Sequence, residues 1–180
     1  MEQEINDFLE FIKIEKGLSE NTYISYKNDL DIYYDYLIKH NINNIDNIKS
    51  KDIINFIEAY KDDNKTSTIA HKLTVIKSLH NYLYETKKIK VNVAENIKRP
   101  KLKKVLPKAL THEEINKLLD INLDSIQNIR LKAMLEMLYA TGFRTSELLN
   151  LKMQDIDRVN YIIRCKGKGN KERIVPMSEI

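Results

Sequence analysis

The chain has 180 residues, enough for one ample core or for one domain and part of another. Hydrophobic residues make up 42% and charged residues 31%, no apolar run approaches membrane-spanning length, and the single cysteine, Cys165, excludes an intrachain disulfide. These features predict a soluble globular protein of the reducing cytoplasm that has no membrane partner.

Four segments in the first half of the chain have the apolar spacing of amphipathic helices. Gly17 ends the first of them, and Ser19 and Ser50 are suited to cap the second and third. Joined by short polar connections, these helices predict a small four-helix bundle. The four helices are expected at residues 3–16, 19–40, 50–60 and 68–86. Their apolar stripes contain Ile5, Phe8, Leu9, Ile12, Tyr23, Tyr26, Leu30, Tyr33, Leu37, Ile69, Leu73, Ile76 and Leu83.

Residues 87–108 concentrate the positive charge of the chain. They contain nine basic residues and one acidic residue, whereas residues 1–86 contain 10 basic and 15 acidic residues. The segment also contains Pro100 and Pro107 and lacks an apolar stripe, which predicts an extended, exposed linker. Its charge fits a phosphate backbone, and a solubilising tether is the alternative interpretation.

The sequence after the basic segment predicts a short helix without a metal site. Thr111 and Glu114 form a capping box, which starts a helix that continues through Leu119. The run that begins at His112 has Asn116 where the zinc motif H-E-x-x-H has its second histidine. The four histidines of the chain show no ligand spacing, so we expect no bound metal.

A helix, a glycine turn and another helix follow. Residues 131–140 are apolar and rich in helix formers, which predicts a buried helix. Gly142 can take the left-handed conformation that ends it. Thr145 and Ser146 are suited to cap the next helix.

Arg144 and Glu147 lie one helical turn apart at the start of this next helix. Glu147 can therefore orient the Arg144 guanidinium, whose fork of N–H groups matches two oxygens of a phosphate. This arrangement predicts an anion site. The spacing alone is also compatible with an ordinary surface ion pair.

A β-hairpin is predicted over residues 162–176, where two β-prone runs flank a Gly-Lys-Gly-Asn turn with Lys168 at its tip. The turn is not a nucleotide-binding P-loop. Ile162 stands where that motif has its first glycine, and Gly169 replaces its Ser or Thr.

The motif T-G-x-R-x-S-E-L at Arg144, followed by G-K-G-N-K-x-R-x-V-P at Lys168, resembles the tyrosine recombinases, closest to the Xer-type recombinases and related phage-type integrases. The resemblance covers nearly the whole chain and implies a mainly α fold. Residues 1–86 would form a SAM-like, four-helix core-binding domain that binds DNA, and residues 87–108 a basic interdomain linker. Residues 109–180 would form the first part of a mixed α/β catalytic domain of the DNA breaking-rejoining fold.

The resemblance also implies roles for individual residues. Arg144 would clamp the scissile phosphate, Glu147 would support it, and Lys168 would protonate the 5′-hydroxyl leaving group. None of the tyrosines present is assigned as the nucleophile. Carried over by position, the DNA-binding residues would be Thr22, Tyr26, Lys27, Lys65, Thr66, Thr68, His71, Lys72, Lys77, Arg99, Lys101, Lys103 and Lys104. Each lysine among them could equally belong to an ordinary solvated face.

The implied function is site-specific DNA recombination or integration through a 3′-phosphotyrosyl intermediate, without a metal or nucleotide cofactor. The implied partners are the double-stranded DNA of a recombination site and, for a full-length protein, other protomers in a tetrameric synaptic complex.

The family also has a His-x-x-Arg motif and a C-terminal tyrosine nucleophile, and the sequence ends at Ile180 before either. We therefore expect a truncated chain that binds DNA and is catalytically inactive alone. The alternative hypothesis is a stand-alone DNA-binding protein that occupies recombination sites or regulates a full-length recombinase.

Overall fold

The computed structural model describes residues 1–62, 64–101, 108–167 and 172–177. The chain divides into two compact units, residues 1–105 and 106–180. In the first unit lie helices α1 (Glu2–Ile14), α2 (Glu20–Lys39), α3 (Ser50–Ala59) and α4 (Thr66–Glu85), and a 3-10 turn at Ile45–Asn47. In the second lie α5 (His112–Leu119), α6 (Ile126–Thr141), α7 (Thr145–Leu149), a 3-10 turn at Met153–Asp155, and strands β1 (Ile156–Asp157), β2 (Ile162–Lys166) and β3 (Glu172–Pro176).

The first unit is the helical bundle that the apolar spacing predicts. The predicted ends of α1 to α4 agree with the observed ones to within two residues, and the mainly helical fold class is confirmed. Phe8, Tyr33 and Phe56 are almost fully buried at the centre, with the Tyr33 and Phe56 rings 5.1 Å apart edge to face. Each such side chain contributes about 1.5–3 kcal/mol through burial. None of the described helices is long and apolar enough to cross a membrane.

The segment that follows α4 packs against this bundle. Ile89 is 7% exposed and Ala94 is fully buried, and both belong to the core cluster of the first unit. The Ser50 hydroxyl donates a hydrogen bond of 2.6 Å to the Val93 carbonyl. The prediction of an extended, exposed linker is therefore wrong for residues 88–97, because its few apolar side chains are enough to anchor it.

A buried histidine lies in the middle of α4. His80 is fully buried; its Nε2 lies 3.3 Å from the Tyr33 hydroxyl, and its Nδ1 has no hydrogen-bond partner among the described residues. Removal from water disfavours the imidazolium, so burial lowers the pKa of His80 to about 4. The bundle therefore holds His80 in its neutral form at neutral pH.

This histidine should make the stability of the fold depend on pH. Because the pKa is about 6.5 in the unfolded chain and about 4 in the fold, protons bind the unfolded state preferentially between these values. The free energy of unfolding should fall by about 3 kcal/mol as the pH decreases from about 6.5 to about 4. Urea unfolding at a series of pH values measures this slope.

The control for this prediction compares two histidine variants. His80→Gln should remove most of the pH slope whatever its effect on absolute stability, whereas His40→Gln, at an exposed position at the end of α2, should retain it. An unchanged slope in His80→Gln would show that other groups cause the acid sensitivity.

Among its described residues, the second unit contains three helices and a small antiparallel sheet in the order β1-β2-β3. Ile163 of β2 pairs with Val175 of β3, which confirms the predicted hairpin pairing. The Thr111 hydroxyl accepts the Glu114 N–H and the Glu114 carboxylate accepts the Thr111 N–H, as the capping box predicts. The core of this unit comprises Phe143, Ile163 and Cys165, with partly buried apolar neighbours from α6, α7 and the sheet.

Helix α6 is more exposed than its composition predicts. The helix forms and ends at Gly142, which has a φ of +63° as expected, but none of its described residues is buried. Met137 and Leu138 pack against the core cluster, whereas Leu131 is 47% and Tyr139 54% exposed. The prediction of a buried helix is therefore wrong. Helix α6 has apolar side chains on all of its faces, and the described part of its unit covers only one face.

Candidate functional site

A buried carboxylate organises the start of α7. The Glu147 side chain is only 4% exposed, and its Oε1 accepts a hydrogen bond of 2.9 Å from Nη1 of Arg144. Its Oε2 accepts the backbone N–H of Arg144 at 2.8 Å. Glu147 thus holds Arg144 by its backbone and by the tip of its side chain. The Arg144 side chain itself is 66% exposed, so its other N–H groups face solvent.

The cap of α7 differs from the sequence prediction. Arg144 occupies the N-cap position, and the Glu147 carboxylate three residues later bonds its backbone N–H. Thr145 and Ser146 are exposed in the first turn and do not cap the helix. The prediction failed because the Glu147 carboxylate bonds the backbone N–H of Arg144, which makes Arg144 the N-cap and starts the helix at Thr145.

A second guanidinium reaches Glu147 from the sheet. Nη2 of Arg173, on β3, donates a hydrogen bond of 2.8 Å to Oε2 of Glu147, and its guanidinium lies 5.7 Å from the centre of the Phe143 ring. Arg173 was not predicted as a site residue. The alternation of side chains between the two faces of β3 could have identified it, because Arg173 lies on the same face as Val175, which packs against the core.

The electrostatics of this cluster favour an anion. The hydrogen bond from the Arg144 backbone N–H lowers the pKa of Glu147, and both guanidinium groups add to the effect. Two arginines and one carboxylate leave one net positive charge beside exposed N–H donors. Burial raises the pKa of the neighbouring Cys165 thiol, which keeps it protonated and unreactive. The cluster is thus suited to bind a phosphate.

Three of the predicted basic site residues, Lys168, Lys103 and Lys104, lie outside the described residues. Their roles remain predictions from the sequence. Lys101 and Arg99 are described and exposed.

Most of the DNA-binding residues predicted in the first unit lie on α2 and the N-terminal part of α4. Tyr26 on α2 and His71 on α4 are in edge-to-face contact, with ring centres 6.1 Å apart, so the two helices bring their predicted residues together. Lys27 is exposed and pairs with Asp31 at 2.7 Å. Thr22 is half-buried, with its hydroxyl 2.9 Å from that of Ser19. The exposed members on α4 and its N-cap are Lys65, Thr66, Thr68 and His71.

Two predicted lysines are instead committed to contacts within the fold. The Lys72 side chain is 7% exposed, and its ammonium donates to Asp29 at 2.6 Å, so burial counts against a phosphate contact. The Lys77 ammonium donates to the carbonyls of Glu95 and Ile97 at 2.8 and 2.9 Å. Helical spacing could not identify these roles, because both partners lie on other parts of the chain.

Three predicted residues line a single open cleft of the first unit. Tyr26, Lys77 and Arg99 border a cavity of about 650 Å³ together with aromatic side chains of α1 and α4. Arg99 is exposed there, while Lys77 contributes mainly its stem because its ammonium is already bonded.

In a comparison with known proteins, both units match phage integrase domains. Residues 5–87 match the phage integrase N-terminal SAM-like domain, and residues 108–180 match the phage integrase family. The chain is 40% identical to tyrosine recombinase XerD of Oceanobacillus iheyensis over 99% of its own length and 61% of the relative's. It is 39% identical to tyrosine recombinase XerC of Herpetosiphon aurantiacus over 98% of its length and 59% of the relative's.

The fold is also similar to that of a solved structure, a lambda integrase tetramer bound to a Holliday junction. The TM-score is 0.79 at 17% identity, and the match covers 99% of this chain and 51% of the integrase chain. The chain spans about 60% of the length of the curated relatives that it matches. On the two domain matches and the curated relatives together, the chain belongs to the phage integrase family of tyrosine recombinases.

Proposed function

We propose that this chain is the DNA-binding and phosphate-binding part of a site-specific tyrosine recombinase. The observation that carries the proposal is the exposed guanidinium of Arg144, held at two points by the buried carboxylate of Glu147. A guanidinium fixed in this way can donate two parallel hydrogen bonds to one phosphate. The family of the chain makes the scissile phosphate of DNA the ligand that fits best.

In the proposed reaction, a tyrosine attacks the phosphorus, a 3′-phosphotyrosyl bond forms and the 5′-hydroxyl leaves. Negative charge grows on the phosphate oxygens in the transition state, and Arg144 stabilises it. Lys168 would give the leaving oxygen its proton. The sequence has no His-x-x-Arg motif, so the proposed cleavage requires that motif and the nucleophile from further polypeptide.

The proposed division of labour follows the two units. The first unit would bind duplex DNA through α2, the N-terminal part of α4 and Arg99, and residues 108–180 would form the start of the catalytic domain. The residues between them, with Lys101, Lys103 and Lys104, would follow the phosphate backbone. We place the protein in the cytoplasm, and a tetramer is the proposed working assembly because the lambda integrase of similar fold is a tetramer on its Holliday junction.

Duplex DNA binding by the 180-residue chain should weaken steeply as salt increases. Each phosphate that a lysine neutralises releases counterions and contributes about −0.9 to the slope of log affinity against log salt. Replacing Lys101, Lys103 and Lys104 together with glutamine should flatten the slope by about three units if all three touch phosphates. Fluorescence anisotropy with a labelled duplex, selected by the chain from a random pool, measures these slopes.

A control variant loses the same charge elsewhere. Glutamine at Lys39, Lys51 and Lys117, which are exposed and were not predicted to bind DNA, should change the slope much less. An affinity that does not change with salt would contradict the proposed DNA contact. Equal slopes for the two triple variants would contradict only the assignment of these three lysines.

A further inference from the structure

The pairing of Glu147 poses a problem for an anion site. A carboxylate that engages a single arginine through both oxygens neutralises it and occupies two of its N–H groups. An Arg144 bound in that way would offer a phosphate no net charge and a reduced set of donors. The function of the site therefore depends on how the two oxygens of Glu147 are shared.

The structure divides the two oxygens between two guanidinium groups. Oε1 accepts from the Arg144 side chain, whereas Oε2 accepts from the Arg173 side chain and from the Arg144 backbone. Arg144 therefore uses only one terminal nitrogen of its side chain to bond the carboxylate. The Arg173 side chain is 41% exposed, less than the 66% of Arg144.

Arg173 is held in place by the elements on both sides of it. Cys165 of β2 is its partner in the β-ladder, and its guanidinium faces the ring of Phe143, which is 6% exposed. Phe143 directly precedes Arg144 in the chain. The side chain of Arg173 thus packs against the same turn that carries Arg144.

We propose that Arg173 is a positioning residue for Arg144: by occupying Oε2 of Glu147, it prevents a two-oxygen pair with Arg144 and leaves the remaining N–H groups of the Arg144 guanidinium free for a phosphate. This inference rests on the proposed function of the site, and it adds a residue from the sheet to that function. It predicts that the effect of Arg173 on phosphate binding passes through Glu147.

The test uses the isotopically labelled 180-residue chain with inorganic phosphate as the probe. Titration of phosphate against the Arg144 side-chain N–H resonances gives the affinity of Arg144. Arg173→Gln should weaken it by about tenfold, the effect of losing one charge-assisted hydrogen bond. The carboxyl resonance of Glu147 reports at the same time whether its surroundings have changed.

Arg164→Gln is the matched control for charge. Arg164 lies on β2 and lines the same small cavity as Glu147, and no hydrogen bond joins these two side chains among the described residues. If Arg173 contributed only its positive field, the two substitutions would weaken phosphate binding equally. We expect Arg164→Gln to have no more than about one third of the effect of Arg173→Gln, because field effects near solvent are screened.

A double-mutant cycle with Glu147→Gln separates positioning from direct contact. When Glu147 no longer carries charge, Arg173→Gln should cost no more than Arg164→Gln. Equal losses from Arg173→Gln with and without Glu147 would overturn the proposal, because Arg173 would then bind phosphate directly. No loss in the wild-type background would overturn it too.

Arg173→Lys provides the rescue. An ammonium can still occupy one carboxylate oxygen, so this variant should bind phosphate within about twofold of wild type. A lysine variant as weak as the glutamine variant would overturn the proposal, provided that the amide spectrum around Phe143 and Ile163 is unchanged. Because the probe is inorganic phosphate, this result is independent of duplex DNA binding, and failure of either proposal is recognised separately.

Discussion

Replacing Arg144 with alanine should slow DNA strand cleavage by about two to three orders of magnitude, the usual cost of losing one preorganised charge contact at a transition state. Cleavage is measured as the covalent protein–DNA adduct that forms on a nicked duplex. The protein for this assay joins the 180 residues to the C-terminal part of the Oceanobacillus iheyensis relative. Binding of the same duplex should weaken far less, because the phosphate charge that Arg144 stabilises grows mainly during the reaction.

The matched control is Arg130→Ala. Arg130 is exposed on α6 and is not part of the Glu147 cluster, so its loss removes the same charge without touching the site. Cleavage by Arg130→Ala should remain within a few-fold of the parent chimaera. Equal losses of binding and cleavage in Arg144→Ala would contradict the transition-state role and assign Arg144 to substrate binding alone.

Replacing Lys72 with methionine should lower the free energy of unfolding by about 3–5 kcal/mol, the usual cost of leaving one partner of a buried ion pair uncompensated. Asp29 is 13% exposed, and without Lys72 its remaining side-chain partner among the described residues is the His71 ring, at 2.8 Å. The Lys72 ammonium also lies 5.9 Å from the ring centre of Tyr60, so the substitution removes that contact as well. Urea unfolding followed by far-ultraviolet circular dichroism measures the loss.

Lys27→Met is the comparison for this second prediction. The pair of Lys27 with Asp31 is about half exposed on the same helix as Asp29, and such surface pairs contribute about 0–1 kcal/mol. The double variant Asp29→Leu/Lys72→Met should recover most of the stability, since two apolar groups can replace a buried pair. A Lys72→Met variant as stable as Lys27→Met would show that the ion pair contributes little.

Much of the bundle could be predicted because its helices have one apolar side. The spacing of Phe8, Leu30, Tyr33 and Leu37 identified core residues that the structure buries. The same spacing could not predict which lysines are bonded within the fold. Lys72 is polar by type but faces Asp29, which is distant in sequence, and nothing in the local pattern of α4 indicates that pairing.

The part of the candidate site that residues close in sequence form could be predicted. Arg144 and Glu147 are three residues apart, so helical spacing alone placed them together. Arg173 comes from a different element, and its contact with Glu147 depends on the register of β2 with β3 and on the packing of the sheet against α7. The packing of residues 88–97 against the bundle could not be predicted either, because single apolar residues such as Ile89 and Ala94 form no stripe.

The contacts of Lys77 with Glu95 and Ile97 make the segment after α4 part of the fold of the first unit. Together with the hydrogen bond from Ser50 to Val93, they join α3 and α4 to residues 93–97. A fragment that ended at residue 86 would lack the buried side chains of Ile89 and Ala94 and would leave the apolar surface beneath them open to water. The stable fragment of the first unit should therefore extend at least to Ile97.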